Sequence, residues 1–390
     1  MKRITQRFLQ ILSYILVAAA AASVTVVAMT FNQPAEPYRK LDQLKDLIDL
    51  VYVGESDPDA MEDAAAAAMV DSLGDKWSYY MTAQDYSSYI EQMTNSYVGV
   101  GMTVQVNEEG YVTILRVEEG SPAKEAGILA GDTLIAVDGA DILGWDINET
   151  KNKVRGEAGT FVSLTLQRED RTLVLDVERR MVSVQVASSQ MLEGNVGLVT
   201  ITNFDSRCAE ETITTIEALL EQGATALIFD VRNNPGGYKD ELVKLLDYLL
   251  PEGVLFRSAL YDGTEEVDKS DAGCLDIPMV VLANGNSYSA AEFFAAALME
   301  YDKATFVGQP TTGKGRFQVT YRLADGSALN ISVGTYTTPN GVDLTDVGLT
   351  PDVPVDLDLE TEMQIYYGNV SPEDDPQIQK ALEILGEKSR

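Results

Sequence analysis

Histidine is absent from all 390 positions of this chain. Without an imidazole, a Ser-His-Asp triad is excluded, as are Cys-His catalysis and most catalytic zinc sites. Cysteine is nearly absent too. Cys208 and Cys274 lie far apart without metal-ligand spacing, so no disulfide framework is visible and each reads as a small buried hydrophobe. Basic residues are few, 29 against 61 acidic ones, for a formal charge of -32. That field repels phosphate backbones and argues against nucleic-acid binding, and against the body of the chain lying on an anionic membrane surface. Its plainest meaning is solubility.

One long apolar run is present. Lys2, Arg3 and Arg7 precede an uncharged stretch from Phe8 to Phe31. It exceeds the roughly 20 residues that cross a bilayer and the roughly 7–15 of a cleaved leader's apolar region. An uncleaved anchor is the favoured reading, although Ala18–Ala22 offers small residues of the kind found at cleavage sites. The positive-inside rule then leaves Lys2 in the cytoplasm and everything after Asn32 outside.

Beyond residues 1–32, the pattern divides the chain further. Residues 33–95 read as a helical N-terminal region, with Leu41, Leu44, Leu47, Ile48 and Val51 on one stripe. This region suits packing or a homodimer, which the sequence leaves open. Residues 96–181 are short β-runs punctuated by glycine, with Gly120–Gly127 as a turn into a short helix and a further helix over Ile147–Val154. Residues 182–358 alternate strand and helix, which predicts a largely parallel or mixed sheet covered by helices. Residues 359–390 read as an acidic, helical tail.

The chemistry concentrates at three places. Ser289, in Asn284-Gly-Asn-Ser-Tyr-Ser-Ala-Ala-Glu292, lies between a buried strand and a helix. The unpaired N–H groups of that first turn suit a developing oxyanion. The plain alternative is a helix cap at Ser287 or Ser289, with Glu292 completing a capping box. Lys314 sits between Gly313 and Gly315 just before a strand, where an exposed loop lysine is the ordinary expectation. With no histidine available, a neutral lysine amine is the most plausible base for a hydroxyl nucleophile. The segment Gly308–Gly315 nearly spells a phosphate-binding loop, but Gly315 replaces the magnesium-binding hydroxyl and a strand follows instead of a helix. No nucleotide, metal or other cofactor is expected. The third place is Phe229-Asp-Val-Arg-Asn-Asn-Pro-Gly-Gly237, whose glycine pair either presents N–H groups to a ligand or makes a plain turn.

Taken together and in order, these segments resemble the C-terminal processing peptidases, or tail-specific proteases, whose catalytic core is related to the crotonase fold. The resemblance implies that Ser289 is the nucleophile, that Lys314, twenty-five positions on, is the general base, and that Gln318 orients the amine. It also implies an oxyanion hole from Ala290 and the glycines Gly236 and Gly237. Leu73-Gly-Asp-Lys-Trp-Ser-Tyr-Tyr80, Tyr336-Thr-Thr-Pro-Asn-Gly341 and Gly348-Leu-Thr-Pro-Asp352 extend it. The middle region is similar to PDZ domains. Val98, Gly99, Val100, Gly101 and Met102 correspond to their carboxylate-binding loop, and Arg155 is a candidate cation beside it. Tyr288, Ala291 and Asn233 depart from the usual pattern without removing a catalytic group.

The expected architecture is therefore multidomain. A PDZ-like β-rich domain joins an α/β crotonase-like peptidase core, with a helical N-terminal region and a single transmembrane helix. The expected activity is a membrane-anchored, extracytoplasmic serine endopeptidase acting on proteins or peptides with accessible C-termini. A catalytically silent PDZ scaffold for envelope proteins is the alternative. An acyl-CoA enzyme of the crotonase type would leave the PDZ-like insert and the anchor unexplained. A free lysine has a pKa near 10.4, so a basic Lys314 must be desolvated. That requirement predicts no carboxylate close to Lys314 and apolar neighbours such as Phe317.

Overall fold

The computed structural model describes residues 38–107 and 109–388. The apolar stretch Phe8–Phe31 lies outside the described residues, and among these no helix is long and apolar enough to cross a membrane. The chain forms two units, residues 1–74 and 75–390. In the first, Arg39–Val51 and Pro58–Asp71 are helices, the latter capped by Asp57, which accepts the N–H groups of Asp59 and Ala60. The predicted stripe exists, but Leu41, Leu44, Leu47, Ile48 and Val51 all remain exposed.

The second unit begins with a correction. The helical reading up to residue 95 is interrupted by the strand Tyr79–Met81, which pairs with Ala328–Thr337. The helix Ala83–Thr94 then starts on a Thr82 cap. A local run of aromatics with a neighbouring strand available outweighs helix propensity here.

Six antiparallel strands between Met102 and Glu178, with the helices Pro122–Glu125 and Ile147–Val154, enclose their own core around Ile114, Leu134, Leu164 and Leu166. A second sheet runs through Tyr79–Met81, Ala328–Thr337, Gly253–Leu260 and Glu265–Ser270, with Arg316–Arg322 paired to Ala328–Thr337.

The third sheet positions the site. Its order is Ala187–Leu192, Val196–Ile201, Ala226–Asp230, Met279–Ala283, Ala304–Gly308 and Val353–Pro354. The first pair is antiparallel and the others are parallel. Alternation along the strands assigns each face. Leu227, Phe229, Met279 and Val281 share a core with the helices Cys208–Glu221, Lys239–Leu249 and Ala290–Glu300. Ile228, Val280 and Leu282 point the other way, onto Ile378, Ala381 and Leu385 of the helix Pro376–Lys388. The acidic C-terminal segment is thus no appended tail: its last helix covers one face of the central sheet, as buried parallel strands require. Asp375, just before that helix, also pairs with Arg232 at 2.8 Å.

The cysteines separate. Cys208 is buried, and burial pushes its thiol up to about 12, while Cys274 is exposed, contrary to the reading of both as core. Behind the site, Phe294 is fully buried and meets Phe229 edge-on at 5.4 Å and Phe204 at 5.9 Å. Phe294→Ala is expected to lower unfolding free energy by about 3–5 kcal/mol, measured by chemical denaturation.

Candidate active site

The strand Met279–Ala283 ends in a turn that Asn284 and Ser287 hold from within. Ser287 donates to the Val231 carbonyl at 2.7 Å and accepts the Asn284 N–H at 3.0 Å. The next helix, Ala290–Glu300, begins immediately after Ser289, whose φ of 58° and ψ of -126° lie outside the ordinary regions for a residue with a side chain. Such a conformation costs about 1–3 kcal/mol and persists only where its surroundings enforce it. Here Glu292 does part of the enforcing, accepting the Ser289 N–H at 2.9 Å, as the capping-box reading expects. The Ser289 hydroxyl lies 2.7 Å from the phenol oxygen of Tyr336.

Tyr336 opens the segment Tyr336-Thr-Thr-Pro-Asn-Gly341, whose sequence assigns it no role. It is buried, and Phe293, Phe256 and Phe317 surround its ring. Burial pushes its hydroxyl well above the ordinary tyrosine range, so it stays neutral. Nothing in a local pattern could reveal this contact, because it joins positions 47 residues apart.

The segment Asp230–Gly237 forms the opposite wall. Arg232 grips Asp230 through two hydrogen bonds of 2.9 and 2.6 Å, and Asn234 donates to the Ile201 carbonyl at 2.8 Å. The Asn234 carbonyl accepts the Tyr288 N–H at 3.1 Å, which ties this loop to the serine turn. A Cβ on Gly236 would stand 2.8 Å from the Ser289 Cβ, so the backbone passes against the nucleophile candidate. The two glycines differ in one respect that their pairing in sequence conceals. The Gly236 N–H is engaged with Asn234 Oδ1 at 2.8 Å, which corrects its place among the expected oxyanion donors. Among the described residues, no acceptor is present for the N–H of Gly237 or of Ala290.

Lys314 lines the same cavity of about 640 Å³ as Ser289, Gly237, Gln318 and Tyr336. Its amine has no hydrogen-bond or ion-pair partner among the described residues. It lies 4.7 Å from the Trp77 ring centre and 5.7 Å from that of Tyr288. Burial lowers its pKa to about 8, opposed by the charges of Glu292 and Asp75. The expectation that no carboxylate lies near Lys314 is therefore wrong: the Glu292 carboxylate accepts its backbone N–H at 2.9 Å. Desolvation prevails all the same, because neither carboxylate pairs with the amine itself. The covering rings are Trp77 and Tyr288; Phe317 stacks on Tyr336 instead.

Gln318 lines the cavity, but its hydrogen bonds go elsewhere. Its amide donates to Ser332 Oγ at 3.0 Å and to the Arg316 carbonyl at 3.1 Å, and no hydrogen bond joins it to Lys314. No hydrogen bond joins Ser289 to Lys314 either.

The second candidate site is a cavity of about 280 Å³ lined by Gly99, Val100, Gly101, Met102, Val154 and Arg155, among others. Val98 is not part of its lining; it sits in the strand Ser96–Gly99, paired with Met181. Arg155 borders the cavity, stacked at 4.9 Å over Tyr97 and paired with Glu91 at 2.9 Å.

A hydroxyl on a strained strand-to-helix turn, two unengaged N–H groups beside it and a desolvated amine in the same cavity define a serine-hydrolase type of site. The relatives narrow that class. The description "Peptidase family S41" matches residues 195–355, and a PDZ domain matches residues 113–168. Over 365 residues the chain is 31% identical to the carboxy-terminal processing protease CtpA of Bacillus subtilis, spanning 90% of this chain and 78% of that protein. It is also 31% identical over 348 residues to a CtpA-like serine protease of Staphylococcus aureus, spanning 86% of this chain and 70% of that one. A solved structure described as an S41 protease, from Bacteroides fragilis, shares the fold with a TM-score of 0.56 at 16% identity, over 92% of this chain and 93% of that one. This chain belongs to peptidase family S41, within the PDZ-containing C-terminal processing peptidases, and is a serine-type protease.

Proposed function

We propose that this chain is a membrane-anchored, extracytoplasmic endopeptidase in which Ser289 is the nucleophile and Lys314 the general base. Its PDZ domain takes the C-termini of unfolded or partly disordered proteins. The observation that carries the reading is the shared cavity, where the strained Ser289 turn, the unengaged N–H groups of Gly237 and Ala290 and the dry Lys314 amine meet. Lys2, Arg3 and Arg7 ahead of the apolar run Phe8–Phe31 support the anchor and its orientation.

The chemistry is acyl transfer. Neutral Lys314 takes the Ser289 proton as Oγ attacks the scissile carbonyl, and the Gly237 and Ala290 N–H groups receive the oxyanion. Lys314 then returns the proton to the leaving amine, and water resolves the acyl-enzyme. Before this, Ser289 must turn from Tyr336 and the Lys314 amine must leave the Trp77 face. Gln318 would orient the amine only after exchanging Ser332 for it.

Full-length chain in detergent, incubated with an unfolded reporter protein and a metal chelator, tests the activity. A fluorophosphonate label mapped by mass spectrometry tests the nucleophile: labelling at any residue other than Ser289 rejects the assignment. The base has its own signature. Only the neutral amine accepts a proton, so below a pKa of about 8 activity should rise with pH. We expect kcat/KM to increase about tenfold per unit between about pH 6 and 7.5 and to level off above about 8.5. A flat profile across that range would exclude Lys314 as the base.

A further inference from the structure

Glu292 is fully buried, and nothing in the proposed mechanism uses its side chain. A buried carboxylate without partners is strongly unfavourable, so where its hydrogen bonds go is informative. Every bond recorded for it ends on one of the two loops that carry the chemistry. One oxygen accepts the Ser289 N–H and the Lys314 N–H, each at 2.9 Å. The other accepts the Gly313 N–H at 2.7 Å and the Thr311 hydroxyl at 2.5 Å. Thr311 in turn accepts the Leu349 N–H at 2.7 Å, which brings in the segment that follows the second sheet.

The carboxylate is carried on the first turn of the helix Ala290–Glu300. From there it holds the backbone of the nucleophile and the backbone of the base on the same oxygen atom. The segment Gln309–Gly315 contains no helix or strand of its own; Thr312 ties it to the serine turn, through its N–H to the Ser287 carbonyl at 3.2 Å and its hydroxyl to the Gly285 carbonyl at 2.7 Å, and the Glu292 bonds alone engage both Ser289 and Lys314.

We propose that Glu292 is the positioning residue that sets the separation of Ser289 and Lys314, acting as a staple between the nucleophile turn and the base loop. The inference rests on the Ser-Lys reading. A capping role alone explains only the Ser289 bond; the three bonds to residues 311–314 require the staple. Glutamine would keep the shape but replace one acceptor oxygen with an NH₂ group, leaving two of the four donors facing another donor. Aspartate would keep the charge, but its carboxylate, shorter by one methylene, cannot reach both loops.

The test compares full-length wild type, Glu292→Gln and Glu292→Asp for kcat, KM and pH profile, with Ser289→Ala alongside. A misplacement of about 1 Å is enough to lose roughly 100-fold in rate, so both Glu292 variants should lose about that in kcat with KM changed less than about threefold. The profiles separate position from charge. The charged groups acting on the Lys314 amine are Glu292 and Asp75, with the neutral rings of Trp77 and Tyr288 against it. Loss of the Glu292 charge in the glutamine variant should move the rising limb to lower pH, whereas the aspartate variant should leave it in place. A folded glutamine or aspartate variant that retains kcat within threefold overturns the staple. If neither variant folds, amide hydrogen exchange on the wild type decides: Gly313 and Lys314 should exchange about 100-fold or more slowly than an open loop, and exchange at open-loop rates overturns it. Turnover surviving in Ser289→Ala would instead reject the Ser-Lys reading, independently of how the Glu292 variants behave.

Discussion

Ser289→Ala is expected to lower turnover of an unfolded protein by about 10⁴- to 10⁶-fold, the scale on which removing a nucleophile acts when no other group can form the acyl intermediate. The chain offers no substitute, since it has no histidine and its one cysteine near the sheet, Cys208, is buried with its thiol held protonated. The substitution has a structural side as well. Alanine removes the partner of the buried Tyr336 hydroxyl, which then loses its 2.7 Å contact. An unsatisfied buried hydroxyl costs about 1–3 kcal/mol, so a modest fall in melting temperature should accompany the loss of activity. Binding of a C-terminal peptide to the PDZ cavity should be unchanged, because none of its lining residues contacts Ser289. Titration of a fluorescent peptide separates the two effects. Residual turnover within about tenfold of wild type would remove Ser289 from the mechanism.

Gly237→Ala should be nearly as damaging, for a different reason. A Cβ there would stand 2.2 Å from the Phe204 carbonyl oxygen and 2.5 Å from its carbon, and the local φ of 151° is one that side chains rarely adopt. Phe204 cannot retreat: it is fully buried, donates its N–H to the Gly236 carbonyl at 2.8 Å and accepts the Tyr238 N–H at 2.7 Å. The loop must therefore shift, taking the Gly237 N–H away from the oxyanion position proposed for it. Loss of one such donor lowers kcat by about 10²- to 10³-fold. KM should change little, because the donor acts chiefly on the charge that develops in the transition state. A variant that folds and keeps kcat within tenfold would show that Gly237 is not the donor. Ala290 and some other group would then have to supply the hole.

Much of the site was legible because its parts are local. A buried strand, a hydroxyl and a helix start can be read from Met279–Glu300 alone, and the Asn-Pro-Gly-Gly segment is legible in the same way. The family relationship was legible too, since several short segments occur in the expected order. The α/β core followed from apolar runs that alternate with amphipathic ones. The exceptions are those where a distant partner decided the outcome. Tyr79–Met81 became a strand because the strand Ala328–Thr337 offered residues Ala328–Asn330 for antiparallel pairing. The C-terminal helix became part of the core because the outer face of the central sheet needed cover, and the acidic residues that precede it in the segment 359–390 hid that role.

The sequence by itself determined the kind of chemistry. With no histidine, every imidazole base was excluded, and a serine at a helix start with a lysine shortly after pointed to a lysine amine as the most plausible proton acceptor. Only the tertiary structure decided how these groups are held. It set Trp77, more than two hundred positions from Lys314, over the amine, and Tyr336 against the serine. It engaged the Gly236 N–H and left that of Gly237 unengaged, and it placed a carboxylate where none was expected. The physical reason is common to all of them. Desolvation, hydrogen-bond satisfaction and close approach depend on which groups meet in space, and residues far apart in the chain carry no local mark of that meeting.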